Sequence, residues 1–396
     1  MLDKFEWDQL AERILHCMET GSREFYDESL EVPVANYLGE ERWRTEMATI
    51  FHKQPLFLCF SEELREPGSY LARSIAGLPI LLTRNRAGEL RGFLNKCRHR
   101  GAPLTGEVEA SGSTRLFVCP FHAWSYDLNG KLVGVPCKDQ FGTIPDDFHA
   151  LVPIMVEDSA GMVWGTLAPG AKLDLQAFLG GMLPMLEKMG FGSFKILGER
   201  KLACPNWKIT MDGYIENYHF NVLHRETFGT LLLHDYGIYD EAGPHTRNVY
   251  ASPGVEALRA IPKEQWNAHK YLKMSFNIFP NCAMGHNQVD DMNDAIFMMA
   301  QILPLSPTLS ETRFTFLSPR AWESAEDQQK LNAFMDFAVN VVDREDYWMG
   351  FNVQHGLNAI SDRSFILGRM ERMVQNFESN VNRLVEEDSS AGDVTP

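Results

Sequence analysis

NKCRHRGAPL (residues 95–104) and CPFHAWSYDLNGKLVGVP (residues 119–136) decide how the rest of this chain is read. The first arm offers Cys97 and His99 as C-x-H; the second offers Cys119 and His122 as C-x-x-H, with nineteen residues between the arms. Each arm thus contributes one thiolate and one imidazole. Such a quartet suits a structural zinc, which accepts two cysteines and two histidines. It equally suits a 2Fe–2S cluster with two thiolates on one iron and two imidazoles on the other, since each arm can supply one ligand to each metal. Neutral imidazoles in place of anionic thiolates make such a cluster easier to reduce. Gly101, Pro103 and Pro120 favour tight loops at the tip of a β scaffold, and Trp124 is placed to act as an apolar cover.

Around these arms, Pro55 to Gly165 is a succession of short β-type runs (LPILLTR, LRGFLNK, TRLFVCP) punctuated by Gly, Pro, Asn and Asp, which predicts a strand-rich domain. Glu157 to Leu167 reads as one further strand. Before it, Ala35 to Phe51 reads as one amphipathic helix. After it, LDLQAFLGGMLPMLEKMG reads as one helix ended by glycine. The runs KMSFNIFP and AIFMMAQILPL, followed by helical periodicity from Glu323 to Asn358, predict an α+β domain. VEEDSSAGDVTP at the end reads as a frayed tail. Boundaries are expected at 1–50 (an N-terminal helical segment), 51–167 (the β domain), 168–385 (the α+β domain) and 386–396 (the tail).

A second constellation lies in Asn206 to His224, where His219 and His224 stand five residues apart. On an ideal helix five residues turn through about 500°, so the two rings could share a metal only across a distorted turn, and a π-type bulge is the expected device. Two histidines plus one carboxylate make the facial triad of non-haem iron sites. Candidate carboxylates lie far downstream in DREDYWMGFNVQHGL (residues 343–357), where Asp343, Glu345 and Asp346 compete. Glu216, three residues before His219, can meet its ring and orient it. Asp212 is a weaker candidate for a proton relay.

At 396 residues with 44% hydrophobic content, the chain can bury substantial cores. A formal charge of -16 disfavours nucleic-acid and anionic-membrane partners. No apolar stretch approaches a membrane span, and the first thirty residues lack a secretory pattern. Seven scattered cysteines fit a reducing cytoplasm better than a disulfide framework.

Taken in order, the two arms, NWK (206–208), the His219/His224 pair, FPN (279–281) and the E-D-x7-Q-x-G-L helix resemble the catalytic α subunits of Rieske-type, ring-hydroxylating non-haem iron oxygenases from about Tyr37 to Glu378. The resemblance implies an all-β Rieske domain followed by a helix-over-antiparallel-sheet (helix-grip) catalytic domain. It implies one 2Fe–2S cluster on Cys97, His99, Cys119 and His122, and one mononuclear Fe(II) on His219, His224 and Asp346. Glu216, where the family has aspartate, would link a neighbouring subunit's cluster to the iron. NAD(P)H would act through a separate reductase, with or without a ferredoxin. The assembly would be a head-to-tail homotrimer, with or without a small β subunit. The activity implied is O2-dependent hydroxylation of a small aromatic or alicyclic substrate in the bacterial cytoplasm, with O- or N-demethylation as the alternative; an electron carrier or zinc protein is a remoter one. Ala123 stands where the family has glycine, and its methyl is expected to need room beside the cluster. Phe220, Leu223, Phe276, Phe279, Met284, Phe297 and Met299 are candidates for an apolar pocket, and His286, Asn287 and Gln288 for polar selectivity; core packing and a turn explain them equally well.

Overall fold

The computed structural model describes residues 4–286 and 294–392. They fall into two compact units, residues 47–178 and residues 1–46 together with 179–396. In the first, seven antiparallel strands lie in the order Leu56–Phe60, Met162–Thr166, Pro153–Ser159, Leu90–Leu94, Leu78–Arg84, Ser69–Ile75, Ala110–Ser113. A second sheet of three short strands, Phe117–Val118, Ser125–Tyr126 and Leu132–Gly134, carries the CPFH arm. Leu56–Phe60 and Met162–Thr166 are buried at every residue, which is why both read as continuous apolar runs rather than alternating ones. The single strand expected over Glu157 to Leu167 is a hairpin. Ala160 and Gly161 both take positive φ (55° and 78°), the two-residue turn whose twist matches paired strands.

The second unit is built on a seven-stranded antiparallel sheet in the order Lys195–Cys204, Leu309–Ser318, Phe297–Ser306, Cys282–His286, Leu272–Ile278, His245–Ala251, Leu233–Ala242. Its register divides it into two faces, because side chains alternate along each strand and directly paired residues point the same way. One face holds His286 and Phe297. It is covered by Trp7 of the N-terminal helix Lys4–Thr20, which stacks on His286, and by Phe191, which packs edge-on against Phe297. The other holds Thr312 and faces the helical segment Ala325–Leu357, from which the Tyr347 hydroxyl donates to Thr312 Oγ1.

Several helices differ from expectation for local reasons. Ala35 to Phe51 breaks at Gly39, whose ψ of 132° leaves the helical region, into Ala35–Leu38 and Glu40–Glu46, followed by a π turn at Met47–Phe51. The helix expected from Leu173 to Gly190 is two, Leu175–Leu179 and Met182–Met189, because Gly180 turns to φ 49°; Gly190 ends the second as anticipated. As far as Gly392 the tail is helical where fraying was expected. Arg372–Gly392 is one helix, and Val374, Phe377, Val381 and Val385 are buried at helical spacing along it, which extends the apolar stripe almost to its end.

The NWK and Q-x-G-L segments meet in space. The Asn206 side chain caps the helix Trp207–Ile215 by accepting from the Lys208 amide at 2.8 Å, and the Asn206 amide donates to Gln354 Oε1 at 2.7 Å. Lys208, fully buried, pairs with Glu46 and donates to the Asn36 carbonyl at 2.5 Å. These contacts tie the iron-side helices to the N-terminal segment.

Candidate metal centres

The two cysteine arms close by the same backbone device. In the first, Gly101 N–H donates to the Cys97 carbonyl and Cys97 N–H to Ala102, each at 2.8 Å. In the second, Ala123 N–H donates to Cys119 and Cys119 N–H to Trp124, each at 2.9 Å. Both loops need a left-handed residue at the fifth position, Gly101 at φ 79° and Ala123 at φ 58°. The expected crowding at Ala123 is therefore a backbone effect: its side chain is exposed, and the cost lies in holding an L-residue at positive φ.

The loops bring together all four of Cys97, His99, Cys119 and His122. Both thiols are buried, and burial pushes the Cys97 thiol up, opposed by the Tyr126 hydroxyl 3.5 Å from its sulfur. The His99 and His122 rings lie edge to face with centroids 4.6 Å apart. Trp124 stacks on His99 at 5.0 Å, nearly parallel, and Phe141 meets both rings edge-on. Burial lowers the His99 pKa, helped by His122 and Arg100, so the ring is neutral at pH 7. Its Nδ1 is buried with no hydrogen-bond partner. A neutral imidazole with an orphaned buried nitrogen beside two thiols fits metal ligation.

In the second unit, His219 and His224 flank a single short helix, Phe220–Leu223, as its two caps. No π turn lies between them: the one helical turn they cap is cut off from Trp207–Ile215 at the extended Glu216, and a π turn lies instead at Val342–Tyr347 and carries Asp346. The His219 and His224 Nε2 atoms are 3.2 Å apart, and Asp346 Oδ1 lies 3.4 Å from the first and 3.1 Å from the second. Such edges suit one face of an octahedron with bonds of about 2.3 Å. Both outer nitrogens are engaged. His219 Nδ1 bonds Glu216 Oε1, and His224 Nδ1 bonds Glu345 Oε2 at 2.6 Å, where Thr227 Oγ1 also donates at 3.1 Å. With Nδ1–H committed to carboxylates, two Nε2 lone pairs and a carboxylate converge, which requires a cation. Without metal, a proton serves. Burial disfavours charge on His219, but Asp346 and Glu216 outweigh it and lift the imidazole to about 9, while the two histidines hold Asp346 below its ordinary value against burial.

Glu216 reaches His219 from the extended residue just past the helix end at Ile215 rather than along a shared helix; its Oε2 also accepts the amides of Tyr218 and His219. Asp212 goes elsewhere. Its Oδ2 accepts from the Tyr37 hydroxyl at 2.7 Å, its Oδ1 has no hydrogen-bond partner, and burial beside Glu378 raises its pKa. It therefore makes no hydrogen bond to the triad. Glu345, considered as a metal ligand, instead orients His224. The signal for that role is its place beside Asp346, one residue apart on a turn whose pitch the sequence does not disclose. Asn287 and Gln288 lie outside the described residues.

Residues 54–151 match the Rieske 2Fe–2S domain family, and residues 197–387 match the catalytic domain of the ring-hydroxylating α subunit. The chain is 30% identical over 257 residues to the glycine betaine monooxygenase oxygenase subunit of Pseudomonas aeruginosa, covering 64% of this chain and 56% of that protein. It is 30% identical over 205 residues to the carnitine monooxygenase oxygenase subunit of Escherichia coli K12, covering 50% and 53%. It thus spans about half the length of the relatives it matches. A quaternary ammonium Rieske monooxygenase solved with L-carnitine superimposes with a TM-score of 0.75 over 89% of this chain and 95% of its own, at 22% identity. Naphthalene 1,2-dioxygenase from Rhodococcus gives 0.69 over 96% and 98%, also at 22%. The fold and both family matches place this chain among the catalytic subunits of Rieske non-haem iron oxygenases, whose two domains are those of a Rieske cluster and a mononuclear iron.

Proposed function

We propose that this chain is the terminal oxygenase of a multicomponent system that uses O2 and electrons from an NAD(P)H-dependent reductase to oxidise a C–H bond of a small organic substrate. The observation that carries this reading is the convergence of His219 Nε2, His224 Nε2 and Asp346 Oδ1 with both outer nitrogens already held by carboxylates. Cys97, His99, Cys119 and His122 would hold the cluster. When bound, the cluster supplies electrons and the iron activates O2. The chain's own share is to orient both imidazoles, through Glu216 on His219 and Glu345 on His224.

Glu216 is the proposed entry point for electrons from the cluster of a neighbouring copy in a head-to-tail ring. Exposed apolar residues support docking at both ends. Tyr218 and Val222 border Glu216 in sequence, and Val118, Phe121 and Phe141 surround the cysteine arms. Seven unpaired cysteines, six of them buried, support a reducing compartment. Among the described residues, no helix is long and apolar enough to cross a membrane.

Likeness to glycine betaine and carnitine monooxygenases supports monooxygenation of an N-methylated substrate ahead of dihydroxylation of an aromatic ring. The test is a single turnover: protein reduced with dithionite, freed of reductant and exposed to O2 with glycine betaine or carnitine. Hydroxylation at an N-methyl carbon releases formaldehyde, and detection of it in the wild type with none from Asp346→Ala is the expected result. Oxidised substrate from the Asp346→Ala protein would contradict the site.

A further inference from the structure

The register of the large sheet places an unpaired cation on its iron-side face. Thr312, which accepts from Tyr347 beside Asp346, shares that face with Phe314, Ala300, Ala283, Asn277 and Thr246 across five strands. Two and four residues before Asn277 on the same strand, and so on the same face, come Ser275 and Lys273. Ser275 pairs with Asn248, and Lys273 with Tyr250. By the same register Phe276, Met284, Phe297 and Met299 lie on the opposite face, under the N-terminal helix and Phe191. These four residues are therefore core, and the substrate side of the sheet is more polar than the sequence suggested.

Lys273 is half-buried, and among the described residues no carboxylate pairs with its ammonium. Its packed surroundings lower its pKa by desolvation. Other enclosed cations of this unit have partners: Lys208 pairs with Glu46, and Arg247 with Asp240. A desolvated ammonium without a counter-charge is costly, and proteins keep one where a ligand supplies the charge. A second polar group on this face is also unsatisfied. Asn277 is fully buried, and neither its amide nitrogen nor its oxygen has a hydrogen-bond partner. Tyr250, the strand partner of Lys273, feels Glu216, the carboxylate that holds His219: burial and then Tyr239 and Glu216 push its hydroxyl well above its ordinary value.

We propose that Lys273 anchors a carboxylate of the substrate, so that this enzyme acts on a small organic acid held by its acid group on the sheet and presented to the iron from there. The proposal rests on the oxygenase reading for the presence of iron, but acid binding at Lys273 is measurable separately. Iron and sulfide are first determined on the purified full chain. The same sample is then titrated calorimetrically with glycine betaine, carnitine, anthranilate and benzoate, each beside its neutral amide.

At least one acid is expected to bind, with its amide about 30-fold weaker, the loss typical of a charge-assisted hydrogen bond. Lys273→Met should bring the acid down to the level of its amide, and Lys273→Arg should keep most of the acid's affinity. If no acid binds the wild type, if acid and amide bind alike, or if Lys273→Met binds the acid as the wild type does, the assignment is overturned. The acid–amide contrast in the wild type keeps the test decisive even if a variant misfolds. Lys273-dependent binding to protein that contains no iron or sulfide would instead leave the acid site standing and remove the oxygenase reading.

Discussion

The cysteine–histidine quartet and the histidine–aspartate triad are held by opposite means. Around the quartet the backbone does the holding: two loops repeat the same pair of main-chain hydrogen bonds, and the four ligands lie within residues 97–122. Around the triad, ligands up to 127 positions apart are aimed by the side chains of Glu216 and Glu345, which fix the outer nitrogen of each histidine. Damage to the first site should therefore come through loop geometry and be graded, whereas damage to the second should come through single carboxylates and be steep.

The largest expected effect is Asp346→Ala, which removes the carboxylate of the triad. Iron at the triad should be lost while cluster iron and sulfide stay at wild-type levels, as read by metal analysis. Loss from Asp343→Ala instead would show that the wrong carboxylate is assigned. Next, Glu216→Gln should retain both metals and lose about 100-fold in turnover, because the amide cannot carry the charge that supports His219. Full turnover in a metal-replete variant would break the electron-entry assignment. Glu345→Gln should weaken iron binding by about 10-fold or more, the usual cost of removing a group that orients a ligand, measured by competition with a chelator.

The pH dependence of iron binding sharpens the same contrast. In the metal-free triad His219 stays protonated up to about 9, so binding must release that proton. Affinity should rise with pH up to that point by about tenfold per unit, with proton release measurable in weakly buffered solution. At the cluster site His99, whose pKa is lowered rather than raised, should contribute no such proton, and release there should come from the thiols, which burial holds protonated at Cys97. The smallest effect belongs to the quartet's loops. Ala123→Gly should stabilise the protein by about 1 kcal/mol by relieving positive φ, read as a small rise in Tm, and a fall would show that the methyl group makes a contact worth more than the strain.

How much of each site could be read from sequence follows from how each is built. Cys97, His99, Cys119 and His122 are legible because short spacings and loop residues encode backbone geometry directly. His219 and His224 are legible as a pair, but the interruption of the helix at Glu216 just before them is not, because Phe220–Leu223 looks like part of a longer helix. Asp346 could be singled out only by resemblance: a π turn shifts the phase of the helix, so periodicity cannot choose among Asp343, Glu345 and Asp346. The partner of Asp212, Tyr37, lies 175 residues away, beyond the reach of any local pattern. Lys273 and the buried aromatic strand residues needed the sheet register, since a slip of one residue exchanges the two faces.

The central claim, a cluster and a separate iron in one chain, is tested most directly by EPR of the anaerobically purified, dithionite-reduced protein with iron, sulfide and zinc analysis of the same sample. A Rieske signal of low average g with about three irons and two sulfides per chain is the expected result. Zinc with neither sulfide nor signal, in protein shown not to have lost a cluster, would contradict both assignments.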